Sequence, residues 1–234
     1  MLIEDFFSSI FGLFYPDICV CCNNKLLSSE KTICSRCLFQ LPETNHYKNA
    51  QNTVAKRFYG RVPVVAAAAF LNFKKGGPVQ SLIHQLKYKK RQDVGEFLGK
   101  MMAHRFMEPN SIFRNIDVIV AVPLHWKKLK LRGYNQCDSI AQSISIEMNV
   151  PYYSNALIRQ NENISQTKKK RFDRWQNVAD IFVVNNQQLL SGKHILLIDD
   201  VITTGATSET CLQTILQVPG TSVSFASVAI AVKT

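Results

Sequence analysis

Asp199 and Asp200 stand side by side at the end of the apolar run Ile195-Leu-Leu-Ile198, and Thr203-Thr-Gly-Ala-Thr207 follows almost at once. That order builds a pocket for a sugar phosphate. Thr203, Thr204, Gly205, Ala206 and Thr207 are small enough to wrap a phosphate with backbone N–H groups and hydroxyls. A second chemistry-bearing set lies near the N-terminus. Cys19, Cys22, Cys34 and Cys37 form two C-x-x-C pairs joined by a hairpin-sized loop. Four thiolates at that spacing can close a tetrahedral shell around Zn²⁺, and the metal supplies folding energy that so small a segment lacks. Cys21 could take the place of Cys22 at a less usual spacing. The other readings of the pairs are two disulfides or a redox C-x-x-C motif. A redox motif needs a helix N-terminus on a thioredoxin-like βαβ unit, and the sequence offers none here.

Elements must position these residues. Ile195 to Ile198 read as a short buried strand, which sets the two acids at its carboxyl end, where open α/β sheets bind ligands. A helix expected from about Ser208 points its positive N-terminal end at the same anion. If the acids only capped that helix, the Thr-Thr-Gly-Ala-Thr order would go unexplained. Val64 to Phe70, Val118 to Val122, Ile181 to Val184 and Val223 to Val232 read as further strands. Val79 to Lys87, Asp93 to Phe106, Asp138 to Met148 and Glu209 to Gln217 read as helices. Strands alternating with helices argue an α/β fold with a mainly parallel sheet covered on both faces. We divide the chain into residues 1–41 (an N-terminal helix and the tetra-cysteine module), 42–61 (a polar connector without clear period) and 62–234 (the α/β domain).

Three basic stretches accompany the acids. Pro123 to Gln136 follows the strand Val118 to Val122, carries Lys127, Lys128, Lys130 and Arg132, and is placed to take the far phosphates of the same ligand. Gln166 to Asn177 is denser, and a basic loop of that kind can close over a charged site as a lid. Its Phe172 and Trp175 could stack on bases. His84 to Arg91 interleaves Tyr88 with cations. No histidine falls in a metal or triad pattern, and Cys137 and Cys211 sit in helical patterns as ordinary buried thiols.

The 234 residues suffice for a real core, and a net charge of +11 suits anionic ligands such as phosphates or nucleic acid. The longest apolar stretch, around Val62 to Phe73, is too short to span a membrane. Met1 to Tyr15 carries Glu4 and Asp5 where a signal peptide needs basic residues, and reads as an amphipathic helix. The expected location is therefore cytoplasmic, with the seven cysteines reduced or metal-bound.

The run from His194 to Thr207 resembles the phosphoribosyl-pyrophosphate motif of type I phosphoribosyltransferases. The wider set is more specific: the tetra-cysteine module, Leu86-Lys-Tyr88, Arg132-Gly-Tyr-Asn-Gln136, Gln166-Thr with Arg171 and Arg174, and the acid loop. Together they resemble the ComF (competence protein F) family over nearly the whole length. The resemblance implies a type I phosphoribosyltransferase fold with an N-terminal zinc ribbon. It implies that Asp199 and Asp200 hold ribose hydroxyls, that residues 203–207 grip the 5′-phosphate, and that Mg²⁺ rides on ligand oxygens. Asp199, Asp200, Arg132, Lys168, Arg171 and Arg174 are then the catalytic candidates. A role with single-stranded DNA in natural transformation is implied, with a DNA-uptake helicase or recombination proteins as partners. An active phosphoribosyltransferase acting on an amine or base is the alternative.

Overall fold

The structure, a computed structural model, describes residues 17–160 and 181–231. The central sheet holds β1 (Val64–Phe73), β2 (Val118–Ala121), β5 (His194–Ile202) and β6 (Ser222–Ala231), ordered β1-β6-β5-β2 and parallel throughout. The helices are α1 (Ser35–Phe39), α2 (Ala55–Phe58), α3 (Pro78–Tyr88), α4 (Gln92–Met107), α5 (Trp126–Arg132), α6 (Gln136–Met148) and α7 (Ala206–Leu216). A separate antiparallel ribbon pairs β3 (Leu157–Arg159) with β4 (Phe182–Val184). The expected α/β architecture is the one observed. The N-terminal helix read at Met1 to Tyr15 and the basic stretch Gln166 to Asn177 lie outside the described residues, and so do Lys168, Arg171 and Arg174.

Period-two alternation explains how the sheet is covered. Ile195 and Leu197 join one apolar cluster with Val118, Val120 and Phe225, packed against Phe58 of α2 and Leu212 and Ile215 of α7. Leu196 and Ile198 turn to the other face, with Ile119 and Ala121 against α3, α4 and α6. All four residues of that run are fully buried, each worth about 1.5–3 kcal/mol in removed apolar surface. Helices α4 and α6 approach unusually closely. A Cβ on Gly99 would lie 2.6 Å from the Ile140 carbonyl oxygen, and one on Gly95 2.0 Å from Ser139 Oγ. That contact fixes α6, whose N-terminus reaches the acids.

Three expectations change in detail. The acids do not end their strand: β5 continues to Ile202 because β6 keeps pairing with it, Asp199 opposite Ser227 and Ile202 opposite Ile230. The opposite neighbour stops instead. Val122 donates to the Ile198 carbonyl at 2.9 Å, and Pro123, lacking an N–H, cannot continue the ladder. The stretch after Pro123 is not all loop, since Trp126–Arg132 is helical. The 42–61 stretch buries Tyr47, Val54, Ala55 and Phe58. Its Asn52 side chain accepts from the Val54 and Ala55 N–H groups at 2.9 and 3.0 Å, so polar residues without period still fold it.

Among the described residues, no helix is long and apolar enough to cross a membrane.

Candidate functional site

Beyond Ile198 the β2 side of β5 is uncovered, and the two acids emerge into that crevice on opposite faces of the strand. Asp199 belongs to the α7 side: its Oδ2 accepts from Ser208 Oγ at 3.2 Å, and its Oδ1 from the Asp200 N–H at 2.8 Å. Burial and the adjacent Asp200 push its carboxyl up to about 7. The loop from Thr203 to Gly205 then leads into α7, which begins at Ala206, two residues before the expected start. Gly205 sits at φ +88°. Space alone would admit a Cβ there, so the left-handed backbone is what calls for glycine. Thr203, Thr204, Ala206 and Thr207 are exposed around the N-terminus of α7, where its first N–H groups have no helical partner.

Asp200 belongs to the other face and is nearly buried. Its Oδ2 pairs with Lys87 Nζ at 3.0 Å and accepts from Gln136 Nε2. Gln136 in turn accepts from Arg132 Nη1 at 2.8 Å. The Arg132 guanidinium lies over the Tyr88 ring at 5.3 Å, and its buried Nε has no hydrogen-bond partner among the described residues. Tyr134 Oη donates to the Leu86 carbonyl. The segments Leu86-Lys-Tyr88 and Arg132-Gly-Tyr-Asn-Gln136 are therefore one interlocked unit. Of the basic stretch after β2, Arg132 joins the acids. No hydrogen bond or ion pair among the described residues ties Lys127, Lys128 or Lys130 to them.

Asn135 and Gln136 have separate roles. Asn135 caps α6: its Oδ1 accepts from the Cys137 N–H at 3.2 Å, and its Nδ2 donates to Val122 O and Asp138 Oδ1. Gln136 is the one that reaches an acid. Lys87 was legible only as part of a basic patch with Lys89 and Lys90. Helical spacing is the signal that could have found it: Lys87 follows the buried Leu86 and Ile83, while Lys89 and Lys90 lie past the helix end.

The cysteines meet as their spacing requires. One Sγ from each of Cys19, Cys22, Cys34 and Cys37 lies within 4.8 Å of every other. Cys22 and Cys34 Sγ are 3.7 Å apart, close to the tetrahedron edge that Zn–S bonds of about 2.3 Å produce and too long for a disulfide. Burial raises the Cys19 thiol, but hydrogen bonding from the Cys34, Cys22 and Cys21 backbone outweighs it and brings the group down to about 6. Cys21 is not one of the clustered four: its Sγ donates to the Pro78 carbonyl at 3.8 Å, and burial, with the neighbouring thiols, holds its own thiol up at about 12. The module's Cys19, Val20, Leu26 and Ile33 share a core with α3 and α4.

No protein-family model matches the chain. Curated relatives do. It is 27% identical over 203 residues to the DNA utilization protein YhgH of Escherichia coli K12, covering 86% of this chain and 84% of that protein. It is 24% identical over 207 residues to competence protein F of Haemophilus influenzae, covering 83% and 88%. Competence protein ComFC of Bacillus subtilis is 37% identical over 90 residues, covering 38% and 34%. The chain is thus similar to DNA utilization and competence proteins over most of its length.

Solved structures with a similar fold include the glutamine phosphoribosylpyrophosphate amidotransferase of B. subtilis, 21% identical, at a TM-score of 0.43 over 62% of this chain and 30% of that one. An adenine phosphoribosyltransferase of Thermoanaerobacter pseudethanolicus is 12% identical, at 0.39 over 61% and 83%. The described part of the motif set lies around one crevice. Asp199, Asp200 and Arg132 converge with Lys87 and Gln136, while the tetra-cysteine cluster stands apart as its own centre.

Proposed function

We propose that this chain binds phosphoribosyl pyrophosphate or a related nucleotide, with Mg²⁺, in the crevice at the end of β5, and that it handles single-stranded DNA in natural transformation. The observation that carries the ligand reading is the convergence, past the end of β2, of Asp199 and Asp200 with the exposed loop at the N-terminus of α7. On this reading the acids hold the ribose hydroxyls. The 203–207 backbone and hydroxyls, at the positive end of α7, take the 5′-phosphate. Arg132 and Lys87, on the opposite wall, take the far phosphates. Lys168, Arg171 and Arg174 add positive charge from the stretch between β3 and β4. The paired carboxylates beside an anion site suit Mg²⁺, which when bound neutralises phosphate charge. The DNA role is supported by the names of the relatives and by the net charge of +11.

The cysteine cluster fits Zn²⁺, with Cys19, Cys22, Cys34 and Cys37 as ligands, and we assign it a structural role. Residues 1–41 then form a metal-bearing module, 42–61 join it to the body, and 62–234 form the phosphoribosyltransferase-like domain. We place the protein in the cytoplasm, beside DNA-uptake helicase or recombination proteins.

A second reading is supported by the cations on the Asp200 side, which suit a leaving pyrophosphate. In an active transferase the bond from ribose C1 to the pyrophosphate oxygen breaks, and C1 bonds to the nitrogen of an amine or base. Positive charge develops on the sugar near Asp199 and Asp200, and negative charge on the departing oxygen near Arg132 and Lys87. Incubation with Mg²⁺, labelled phosphoribosyl pyrophosphate and amine or base acceptors tests it. Pyrophosphate release that disappears in Asp199→Ala supports the transferase. Ligand binding without release supports a binding protein. No binding at all contradicts both.

A further inference from the structure

Helix α5 has no buried face. None of its seven residues is buried, and Trp126, Leu129 and Leu131 are 41%, 43% and 78% exposed. Local bonds hold it. At its start His125 Nδ1 accepts from the Lys127 N–H at 3.2 Å, and at its end the Gly133 N–H donates to the Leu129 carbonyl at 2.7 Å. Its outward side chains are thus unused by the fold. They are also oddly mixed for a solvated helix, alternating lysines with large apolar groups.

A second wall stands beside it, the turn from α3 to α4. Tyr88 is 59% exposed there, and Lys89 and Lys90 are exposed after it. The walls touch. The Lys90 Cε and Nζ lie 3.9 and 4.0 Å from where a Cβ on Gly133 would sit, and Arg132 lies over Tyr88. Lys89, Lys90, Lys127, Lys128 and Lys130 make no ion pair among the described residues, whereas Lys48, Lys87 and Lys100 each have a carboxylate. Positive charge concentrated this way without counter-charge repels itself, and a polyanion relieves it. The rings lie among these cations: Lys127 Nζ is 5.6 Å from the Trp126 ring centroid, and His125 stacks on that indole.

We propose that α5 and the α3–α4 turn form a track for single-stranded nucleic acid, with phosphates on the lysines and bases against Trp126 and Tyr88. The proposal rests on the reading that this protein handles single-stranded DNA, and it puts the strand on a surface that adjoins the crevice through Arg132, the last residue of α5. The combination selects the ligand. Repeated cations fit any polyanion, but exposed rings among them fit one whose bases are unstacked and available. An acidic peptide offers charge without flat faces, and a duplex keeps its faces covered.

The test uses the full chain and a labelled oligothymidine, with anisotropy read between about 50 and 200 mM NaCl. Each phosphate neutralised on a single strand releases counterions and contributes about −0.7 to the slope of log affinity against log salt, so Lys127→Gln, Lys128→Gln and Lys130→Gln together flatten it by about 2. Trp126→Ala weakens binding about tenfold and leaves the slope unchanged. Because these side chains are exposed, melting temperatures stay at the wild-type value. Wild-type binding that neither variant alters overturns the track and leaves the DNA reading standing. No wild-type binding overturns both. Equal affinity for polyglutamate, with Trp126→Ala neutral, overturns the nucleic-acid assignment in favour of an acidic protein partner.

Discussion

The cysteine cluster and the β5 acids hold groups of the same charge by opposite means. Among the described residues, the hydrogen bonds at the four thiols come from backbone N–H groups and other sulfurs, and four thiolates held this close repel one another. Around the acids, compensation is built in. Lys87 and Gln136 engage Asp200, while Ser208 and a backbone N–H engage Asp199. On the proposed reading the first centre is completed by an ion, whereas the second is organised in advance by the protein. The lesson is that losing a partner should cost the two centres very different amounts.

Metal removal sharpens that contrast most. Chelation, or Cys34→Ser, is expected to cost several kcal/mol and unfold the 17–41 region, because structural zinc supplies folding energy outright. Metal content by mass spectrometry and thermal unfolding read the effect. A protein without stoichiometric metal whose Cys34→Ser variant melts normally breaks the account of this centre.

Next comes the ion pair. Lys87→Met strands a nearly buried carboxylate with Gln136 alone, and a loss of about 2–3 kcal/mol is expected in denaturant melts. Asp200→Asn, which removes the charge instead, should cost less, and the double variant should recover most of the difference. Equal costs would show that the pair is not coupled.

Gly99→Ala acts at a distance. Its Cβ would press on the Ile140 carbonyl of α6, a backbone atom that cannot swing aside, and about 1–3 kcal/mol is expected. Since α6 carries Gln136, ligand affinity should fall with stability. The cysteine centre, on other elements, should keep its metal.

The smallest effect is in pH. Asp199 ionises near 3.8 when unfolded and near 7 when folded. Below pH 4 both states are protonated and it favours neither. As pH rises to about 7 the unfolded state ionises first, so folding loses stability across that window. Asp199→Asn does not titrate, and should therefore gain on wild type by about 1–2 kcal/mol from pH 4 to 7, the partial exposure of the group reducing the effect. A constant difference between the two proteins would contradict the raised ionisation.

The same two centres show why one was legible in the sequence and the other only in part. The four clustered cysteines lie within nineteen positions, Cys19 to Cys37, and their spacing alone sets the cluster. The acids and their loop are also contiguous, and could be placed at the end of a strand. Their partners are not contiguous. Lys87 and Gln136 reach Asp200 from 113 and 64 positions away, through the packing of α3 and α6 on the sheet. Sheet architecture was legible because β5 is apolar on both faces. The extension of β5 past the acids was not, because it depends on the length of β6 and on Pro123 halting β2. The helix α5 escaped notice because it has no apolar stripe toward a core.

The most direct measurement is calorimetric titration of the wild-type protein with phosphoribosyl pyrophosphate and Mg²⁺, repeated on an Asp199→Ala, Asp200→Ala double variant. The account predicts saturable one-site binding by wild type and its loss, by about a hundredfold or more, when both carboxylates are removed. Absence of binding by wild type, or equal binding by the variant, would contradict it.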